Sequence, residues 1–421
     1  MKKAIALGSI GFLIAAGVAT LALAQNNKVE LTVAAFPSLD DSVKVALAGF
    51  AKKFPNIEIK LTALQYGDHH AALTTALATG QGLHDVEAIE IGYVGKFAES
   101  QGLEDLNGAA YKAGQYKKLM VPYTVAQATS SDGRFVAMPC DIGPGTTFYR
   151  KDILDKAGIK PSDLNTWEGY VEAGKKLHAS NNKLFMINDA KSAANLIIRS
   201  NLASGEGIYF DSANKNLVGP DSARFVKAFT IAKKIREAGI DAKIGEWSNE
   251  WYEGFKGGTV ATQFSGAWLQ GHFQNWMAPD TKGLWRVQDL PDGAFASWGG
   301  SFYSIPTASA HKKEAWEFIK YMTLNREQQI AVFKSNGAFP SLNSAWGDKS
   351  FNEPVPFLGG QKARLLWKAT AKRIKPIDVN KYDTVADTII QTALGKVLDE
   401  GVDIKAALTE ARTELDKRAR R

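Results

Sequence analysis

The stretch that most constrains the fold lies at residues 132–167, where apolar strand-like runs alternate with proline and glycine. Residues 135–138 are apolar enough for a buried strand, and Pro139 is expected to end regular pairing. Gly143-Pro144-Gly145 would then supply backbone freedom before residues 146–149 resume a strand. We interpret this pattern as a strand that crosses between two lobes at a hinge. An ordinary strand with a glycine bulge is the alternative.

The segment after this strand carries clear helix boundaries. A helix beginning near Lys151 is predicted to stop at Gly158, because glycine commonly ends helices. Thr166 is predicted to cap a second helix that starts at Trp167.

The N terminus has the form of a cleavable secretory signal. Lys2 and Lys3 precede an uncharged apolar run at residues 4–24 that ends in a small-x-small site, so the mature chain is expected to begin near Gln25. An uncleaved anchor is the alternative, since the run is long enough to span a bilayer. Cys140 is the only cysteine, which excludes an internal disulfide and a lipid attached at the cleavage site. These features predict a periplasmic protein that is not a lipoprotein.

Size and charge narrow the class further. Of 421 residues, 397 remain after removal of the first 24, more than one core usually organises, so two lobes are expected. The formal net charge of +7 becomes +5 once Lys2 and Lys3 are removed. The basic residues cluster at the extreme C terminus without interleaved aromatics, and we therefore expect no nucleic-acid partner.

The first third of the mature chain alternates strands with helices. Strands are predicted at residues 29–35, 57–61 and 85–91, and helices at 42–54, 69–79 and 94–100. This alternation predicts an α/β fold with a largely parallel sheet, whose ligands bind at the carboxyl ends of the strands. Phe36, Tyr66 and Glu90 lie at or next to three such ends.

Beyond the crossing the pattern becomes more helical, and a second crossing is predicted near Leu290. The predicted helices are 167–177, 190–203, 221–238, 312–323, 384–399 and 404–419, and the predicted strands are 259–263 and 298–306.

Tryptophans are concentrated in one region, with six of the ten between positions 247 and 298. Aromatic faces stack on the apolar faces of sugar rings, while carboxylates and backbone amides bind the hydroxyls. Trp268 follows Ser265-Gly266-Ala267 at a predicted strand end and is expected to reach a cleft. For Trp247, Trp251 and Trp276, packing in the core or at the rim is the better prediction.

No catalytic, phosphate-binding or metal-binding motif is present, so no enzyme, cofactor or metal site is expected. His69, His70 and His84 are interpreted as surface residues, and residues 211–216 as a β-turn rather than a calcium loop. Glu246, Glu250 and Glu253 are interpreted as a solvated helix face rather than a catalytic pair.

Several short motifs, in their order and spacing, resemble one family. They are Asp85-Val86 with Phe97 to Leu103, Met138 to Asp152, Lys156 to Ile159, Thr166-Trp167, Phe255 to Gly258, Gly266 to Trp268, Leu290-Pro291, Gly299-Gly300 and Ala315 to Tyr321. The chain resembles the family 1 extracellular solute-binding proteins of ABC importers, the group that includes maltose-binding protein. The resemblance implies two α/β lobes joined by several crossings, with a sugar bound in the cleft and closure presented to a membrane permease.

The resemblance also implies roles for particular residues. Trp268 matches the family's stacking tryptophan, Gly299-Gly300 a backbone contact, Glu90 an acidic hydroxyl acceptor, and Asp141 a cleft position in the crossing segment. Two positions depart from the pattern: Ser301 stands where some relatives carry a tryptophan, for which Trp298 could substitute, and Gly143 stands where others carry a carboxylate. The candidate ligand-binding residues are therefore Phe36, Tyr66, Glu90, Asp141, Trp268, Trp298, Gly300 and Ser301.

Together these observations predict a two-lobed periplasmic-binding-protein fold with hinge crossings and a central cleft. One lobe would comprise residues 25–141 and about 291–338, the other about 142–290 and 339–421. The predicted function is delivery of a mono- or oligosaccharide to an ABC transporter permease by a monomeric protein. A secreted glycoside hydrolase and a binding protein for a polyamine or an anion are the alternatives.

Overall fold

The computed structural model describes residues 28–419 and has a mixed α/β architecture. The predicted signal sequence and the last two arginines lie outside the described residues. The strands are β1 (Val29–Ala35), β2 (Ile57–Ala63), β3 (Val86–Glu90), β4 (Ala137–Arg150), β5 (Thr262–Gly266), β6 (Trp285–Gln288), β7 (Ser297–Ser304) and β8 (Phe339–Pro340). The α-helices are α1 (Leu39–Lys53), α2 (Tyr66–Thr79), α3 (Ile91–Ala98), α4 (Pro122–Gln127), α5 (Lys151–Lys156), α6 (Trp167–Ser180), α7 (Ala190–Arg199), α8 (Ala223–Glu237), α9 (Asn249–Gly257), α10 (Leu269–His272), α11 (Lys312–Leu324), α12 (Arg326–Asn336), α13 (Ala363–Arg373), α14 (Asp383–Asp399) and α15 (Ile404–Ala419).

The N-terminal part forms the predicted β-α-β arrangement. Strand β1 has the predicted bounds and pairs in parallel with β2 on one side and β3 on the other. The inward residues Leu31 and Val33 are fully buried, as the alternating pattern indicates. Parallel strands bring their carboxyl ends to one edge, which places Phe36 and Glu90 near each other.

Strand β4 differs from its prediction. It is continuous through Pro139, which pairs opposite Phe302, so the expectation that Pro139 ends regular pairing is wrong. The register shifts next to Pro139, and a bulge is a position where a strand tolerates proline. Gly143 is required by close approach, because a Cβ there would lie 1.8 Å from the Trp298 carbonyl oxygen.

Strand β4 is also the element that two groups of strands share. Its first half pairs with β7 and β8, whereas its second half pairs with β5 and β6. The strand order is β2-β1-β3-β7-β4-β5. Because β6 and β7 pair with opposite halves of β4, the chain passes from one group to the other between them, near Leu290.

Buried apolar side chains form separate clusters on the two sides of this crossing. One joins β1–β3, α1–α3 and α11, and includes Phe50, Phe97 and Phe318. A second packs α6–α8 with α14 and α15, and a third surrounds Trp251, Trp285 and Trp367. The molecule is two-lobed, and the third cluster also includes Val121, Tyr123, Ile330 and Phe333, so it contains residues from both sides of the crossing. Within residues 28–419, no helix combines the length and apolarity needed to cross a membrane.

Local helix signals were predicted well after β4. Helix α6 begins at Trp167, and the Thr166 side chain accepts a hydrogen bond from the Gly169 N–H, which confirms the predicted cap. Helix α5 ends before Gly158, whose φ of +64° is the left-handed conformation expected of a terminating glycine. The prediction missed α4, α10, α12, α13, β6 and β8.

Candidate ligand-binding site

A cavity of about 790 Å³ lies between the two lobes. It opens at the carboxyl ends of β1 and β3 and extends to α7, α14 and the region around α10. All eight residues singled out from the sequence line it: Phe36, Tyr66, Glu90, Asp141, Trp268, Trp298, Gly300 and Ser301. The structure thus brings the predicted set together, while contact with a ligand stays a prediction for each residue. We call Phe36, Tyr66, Glu90, Asp141 and Ser301 the first wall.

Two carboxyl groups of the first wall stand in one cross-strand row. Ser301 on β7 pairs with Glu90 on β3 and with Asp141 on β4, so the three residues are direct neighbours across the sheet. A bulge sets this arrangement: Pro139 faces Phe302 and Asp141 faces Ser301, which leaves Cys140 as the extra residue. Without that extra residue, Cys140 would occupy the row in place of Asp141.

Glu90 is held in a fixed orientation. Its Oε2 accepts hydrogen bonds from the Tyr66 hydroxyl at 2.9 Å and from the Gly92 N–H at 2.7 Å, the latter as the cap of α3. Burial raises the pKa of Glu90 to about 7, although these hydrogen bonds oppose the shift. Burial also raises the pKa of Asp141 to about 6, against the opposing effect of hydrogen bonds from Ser301. Both groups are therefore desolvated carboxyls that a hydrogen-bond donor would stabilise.

The histidines behind this wall are buried, so their interpretation as surface residues is wrong for His69 and His70. The Glu90 N–H donates to His70 Nε2 at 3.1 Å, and the opposite ring nitrogen lies 2.8 Å from the Tyr66 carbonyl. Burial lowers the pKa of His70 to about 3, so the ring is neutral and supports the wall from behind. Among residues 28–419 no group of three His, Cys, Asp or Glu side chains is arranged to hold a metal ion.

The turn predicted at residues 211–216 is present. The Asn214 N–H donates to the Asp211 carbonyl at 2.9 Å, which closes the turn.

The opposite side of the cavity carries the aromatic side chains. The rings of Trp247 and Trp268 are stacked, with centroids 5.8 Å apart and planes 17° from parallel. Trp268 is fixed because its Nε1–H donates to the Trp298 carbonyl at 2.7 Å. The indole also occupies space that only glycine leaves open, since a Cβ on Gly266 would lie 2.3 Å from Trp268 Nε1.

The remaining tryptophans divide between cavity and core. Trp247 and Trp276 line the cavity with 41% and 45% of their surface exposed, so a core position is excluded for both. Trp251 and Trp285 are fully buried. Trp251 lies on α9 and Trp285 begins β6, so burial does not follow from one local sequence pattern.

A network of charged residues completes this side, and no local sequence pattern indicates it. Arg199, at the end of α7, donates to Asp387 on α14 at 3.1 Å, and the Tyr209 hydroxyl donates to the same oxygen at 2.6 Å. Burial alone would lower the pKa of Arg199, but the neighbouring Tyr209, Asp387 and Glu90 outweigh it and raise that pKa. Asp383 also lines the cavity, and burial raises its pKa to about 7.

Glu246 is a further cavity residue, so its assignment to a solvated face is wrong. Its Oε1 accepts hydrogen bonds from Ser192 at 2.8 Å and Gln263 at 3.0 Å, and burial raises its pKa. Glu250 and Glu253 are exposed on α9, as predicted. We call Arg199, Glu246, Trp247, Trp268, Trp276, Asp383 and Asp387 the second wall.

Gln127 is the most conspicuous unpaired group at the cavity. Its side chain is fully buried, it lines the cavity, and neither its amide oxygen nor its amide nitrogen has a partner among the described residues. A buried amide without partners is destabilising. A ligand hydroxyl, which both donates and accepts, could satisfy either atom.

Residues 374–382 contact both lobes at the edge of the cavity. Their carbonyl at Pro376 accepts from the Gly205 N–H at 3.1 Å, and the Asn380 amide donates to Asn214 at 2.7 Å, which anchors them to the second lobe. Val379 reaches the first lobe, where a Cβ on Gly95 of α3 would lie 2.8 Å from the Val379 Cβ. The two lobes therefore touch at this edge.

Comparison with known proteins gives consistent matches. Residues 46–355 match the family model described as bacterial extracellular solute-binding protein. The chain is 28% identical to the lactose-binding protein of Rhizobium radiobacter over 387 residues, covering 87% of each protein. It is 27% identical to the arabinooligosaccharide-binding protein of Bacillus subtilis (strain 168) over 347 residues, covering 78% of this chain and 77% of that protein.

One solved structure is similar over nearly its whole length. It is an ABC transporter associated binding protein from B. animalis subsp. lactis Bl-04 in complex with β-1,6-galactobiose. The TM-score is 0.80 at 25% sequence identity, over 94% of this chain and 98% of that one. The similarity therefore extends over nearly the whole of both chains.

Proposed function

The chain belongs to the bacterial extracellular solute-binding protein family, and from this membership we propose that it binds a carbohydrate in the cavity and delivers it to the permease of an ABC importer. The observation that carries the proposal is the opposition of the two walls. Carboxyl groups that accept hydrogen bonds face exposed tryptophan rings across a cavity of about 790 Å³. A sugar ring needs both, since its hydroxyls bond at the edge and its C–H faces stack on aromatic rings.

The relatives support the sugar class. Those with 27% and 28% identity are named for arabinooligosaccharides and lactose, and the solved neighbour holds a galactobiose. The family consists of binding proteins, so the chain is not an enzyme, and the glycoside hydrolase alternative is not retained. A non-sugar solute remains the second candidate, and a ligand screen separates the two.

Closure of the lobes is the proposed signal of occupancy. The lobes would comprise residues 25–141 with about 291–338, and about 142–290 with 339–421. Strand β4 and the connection near Leu290 would carry the relative rotation. A ligand held by both walls favours the closed form, because only that form allows contacts with both.

We further propose that residues 1–24 are a signal peptide removed on export and that the mature protein is a periplasmic monomer without a lipid anchor. N-terminal sequencing of the protein secreted by its host should begin near Gln25. An intact Met1 or a lipid-modified N terminus would contradict this assignment.

A thermal-shift screen tests the ligand class. Lactose, β-1,6-galactobiose, arabinobiose and maltose are compared with a polyamine and with glycerol phosphate. A ligand at 100 times its dissociation constant stabilises the folded state by about 2.7 kcal/mol. Stabilisation by at least one sugar supports the proposal; stabilisation by a non-sugar solute alone would overturn it.

Small-angle scattering tests closure with the sugar that the screen identifies. The radius of gyration should decrease when this sugar saturates the protein. An unchanged radius, in a sample shown by calorimetry to bind, would mean that occupancy is signalled without closure.

A further inference from the structure

The carboxyl groups around the cavity greatly outnumber the available cations. Among the described lining residues the acids are Glu90, Asp141, Glu246, Asp383 and Asp387, and the bases are Arg199 and Lys375. His272 also lines the cavity, but burial lowers its pKa to about 4, so the ring is neutral at pH 7. The acids lie on both walls, so a ligand that touches either wall is close to a carboxyl group.

Neither base is an unpaired, desolvated cation. The Arg199 guanidinium already donates to Asp387 at 3.1 Å, and about a quarter of its side chain (26%) is exposed. Lys375 is exposed at the edge of the cavity, where water screens its charge. An anion inside the cavity would therefore meet five carboxyl groups and would share the Arg199 guanidinium with Asp387.

The unpaired hydrogen-bond acceptor of Asp383, like the charge of the cavity, favours an uncharged ligand. Asp383 Oδ2 accepts the Asn380 N–H at 2.8 Å, while its buried Oδ1 has no partner among the described residues. Such an oxygen needs a donor from the ligand. A hydroxyl donates and an ionised carboxylate or phosphate does not, so a hydroxyl placed here satisfies this atom, whereas an anionic group placed here leaves it unpaired.

We propose that this cavity selects uncharged sugars and excludes those bearing a carboxylate or a phosphate, with Glu246 and Asp383 on the second wall acting as the residues that reject negative charge. The inference rests on the proposed function and narrows its ligand class. Glu90 and Asp141 add to the effect from the first wall when they are ionised.

A matched ligand series isolates charge from shape. The probes are lactose and β-1,6-galactobiose, each also prepared with a carboxylate or with a carboxamide at C6 of the non-reducing galactose. The carboxamide has nearly the same shape as the carboxylate but no charge. By calorimetry at pH 8, we expect the carboxylate form to bind at least about tenfold more weakly than the carboxamide, because like charges in a desolvated site repel. If both C6 forms fail to bind, the comparison is repeated at the reducing end with lactobionate and lactobionamide.

Variants identify the residues responsible. In Glu246→Gln and Asp383→Asn the new amide oxygen can still accept the hydrogen bonds from Ser192 and Asn380. The difference in affinity between the carboxylate and the carboxamide probe, called the gap below, should become smaller. Glu250→Gln removes the same charge from an exposed position outside the cavity and should leave the gap unchanged. Circular dichroism checks that each variant is folded.

The outcomes separate this inference from the proposed function. If no neutral sugar binds, the proposed function fails and the inference with it. If neutral sugars bind and the carboxylate binds as tightly as the carboxamide, only the inference is overturned. A gap that persists in both cavity variants would remove the roles assigned to Glu246 and Asp383.

Discussion

The two walls of the cavity differ in the secondary-structure elements and the side chains that form them. The first wall consists of residues at strand ends, where Glu90, Ser301 and Asp141 form a row fixed by the pairing of β3, β7 and β4. The second wall lies on helices and loops, with stacked tryptophans and the Arg199–Asp387 pair. The first wall therefore presents hydrogen-bond acceptors at positions set by the sheet. The second wall presents apolar ring faces together with ionisable groups.

This difference shows why neither lobe is sufficient alone. Directional acceptors determine how a sugar is oriented but bury little apolar surface, and stacking rings bury surface but tolerate several orientations. The sheet-borne acceptors and the exposed tryptophan rings thus lie on opposite walls, and a ligand contacts both only when the walls are close. The following experiments separate the two contributions.

The largest expected effect comes from the second wall. Trp268→Ala should weaken sugar binding by about 2–3 kcal/mol, because aromatic anchors in partly desolvated pockets dominate binding energy. Calorimetry measures the loss. Leu365→Ala, an exposed apolar truncation on α13 away from the cavity, serves as the control and should bind normally. Unchanged affinity of a folded Trp268→Ala protein would show that the aromatic wall does not hold the ligand.

On the first wall, Glu90→Ala and Asp141→Ala should each weaken binding by about 1.5–3 kcal/mol, as expected for hydrogen bonds to charged acceptors. Their effects should not add, because both flank Ser301 in one row. Calorimetry of the single and double variants checks this. If Asp141→Ala lowered the melting temperature but kept its affinity, Asp141 would be a structural element of the crossing.

The first wall should also show a distinct pH dependence. Burial raises the pKa of Glu90 from 4.5 to about 7, so between these values the folded state holds a proton that the unfolded state has released. The contribution of Glu90 to the free energy of unfolding therefore falls as pH rises through this window. Ligand-free Glu90→Gln should gain on the order of 1–3 kcal/mol relative to wild type between pH 4.5 and 8.

Denaturant titrations of both proteins at several pH values measure this difference. The comparison with wild type is needed because the lowered pKa values of His70 and His272 change stability in the opposite direction below about pH 6.5. A difference between the two proteins that is independent of pH would contradict the assignment to Glu90.

Gln127 should combine opposite effects on binding and stability. Gln127→Leu removes two unpaired polar atoms from a buried site and should stabilise the ligand-free protein by about 1 kcal/mol. The same change should weaken sugar binding by about 1 kcal/mol, since a ligand hydroxyl loses its partner. Thermal unfolding and calorimetry measure the two quantities. A variant that is less stable would mean that the amide has a structural role.

The smallest effect should come from the contact that brings the walls together. Gly95→Ala places a methyl group 2.8 Å from the Val379 Cβ and should weaken binding by about 0.5–1 kcal/mol through incomplete closure. Adding Val379→Ala should restore affinity by making room. Gly257→Ala, where a Cβ would meet no atom within 4 Å, is the control and should be neutral.

The sequence predicted what depends on local patterns. Phe36, Tyr66 and Glu90 followed from the rule that ligands bind at strand ends, and the Thr166 cap followed from its spacing. The row at Ser301 could not be predicted, because it depends on a bulge and on pairing between strands about 160 residues apart. The Arg199–Asp387 pair lies 188 positions apart and has no local signal. Glu246 was misassigned because a residue preceding a helix has the same spacing as one on its surface.

Residues 374–382, which contact both lobes, affect how long a sugar stays bound. Because Val379 rests on α3 at the edge of the cavity, separation of the lobes must break this contact as well as those to the sugar. The residence time of the sugar then depends on the rate at which the lobes separate, and not only on the equilibrium affinity. A membrane partner that pulls this edge apart could release the sugar at a rate set by the transporter rather than by the sugar itself.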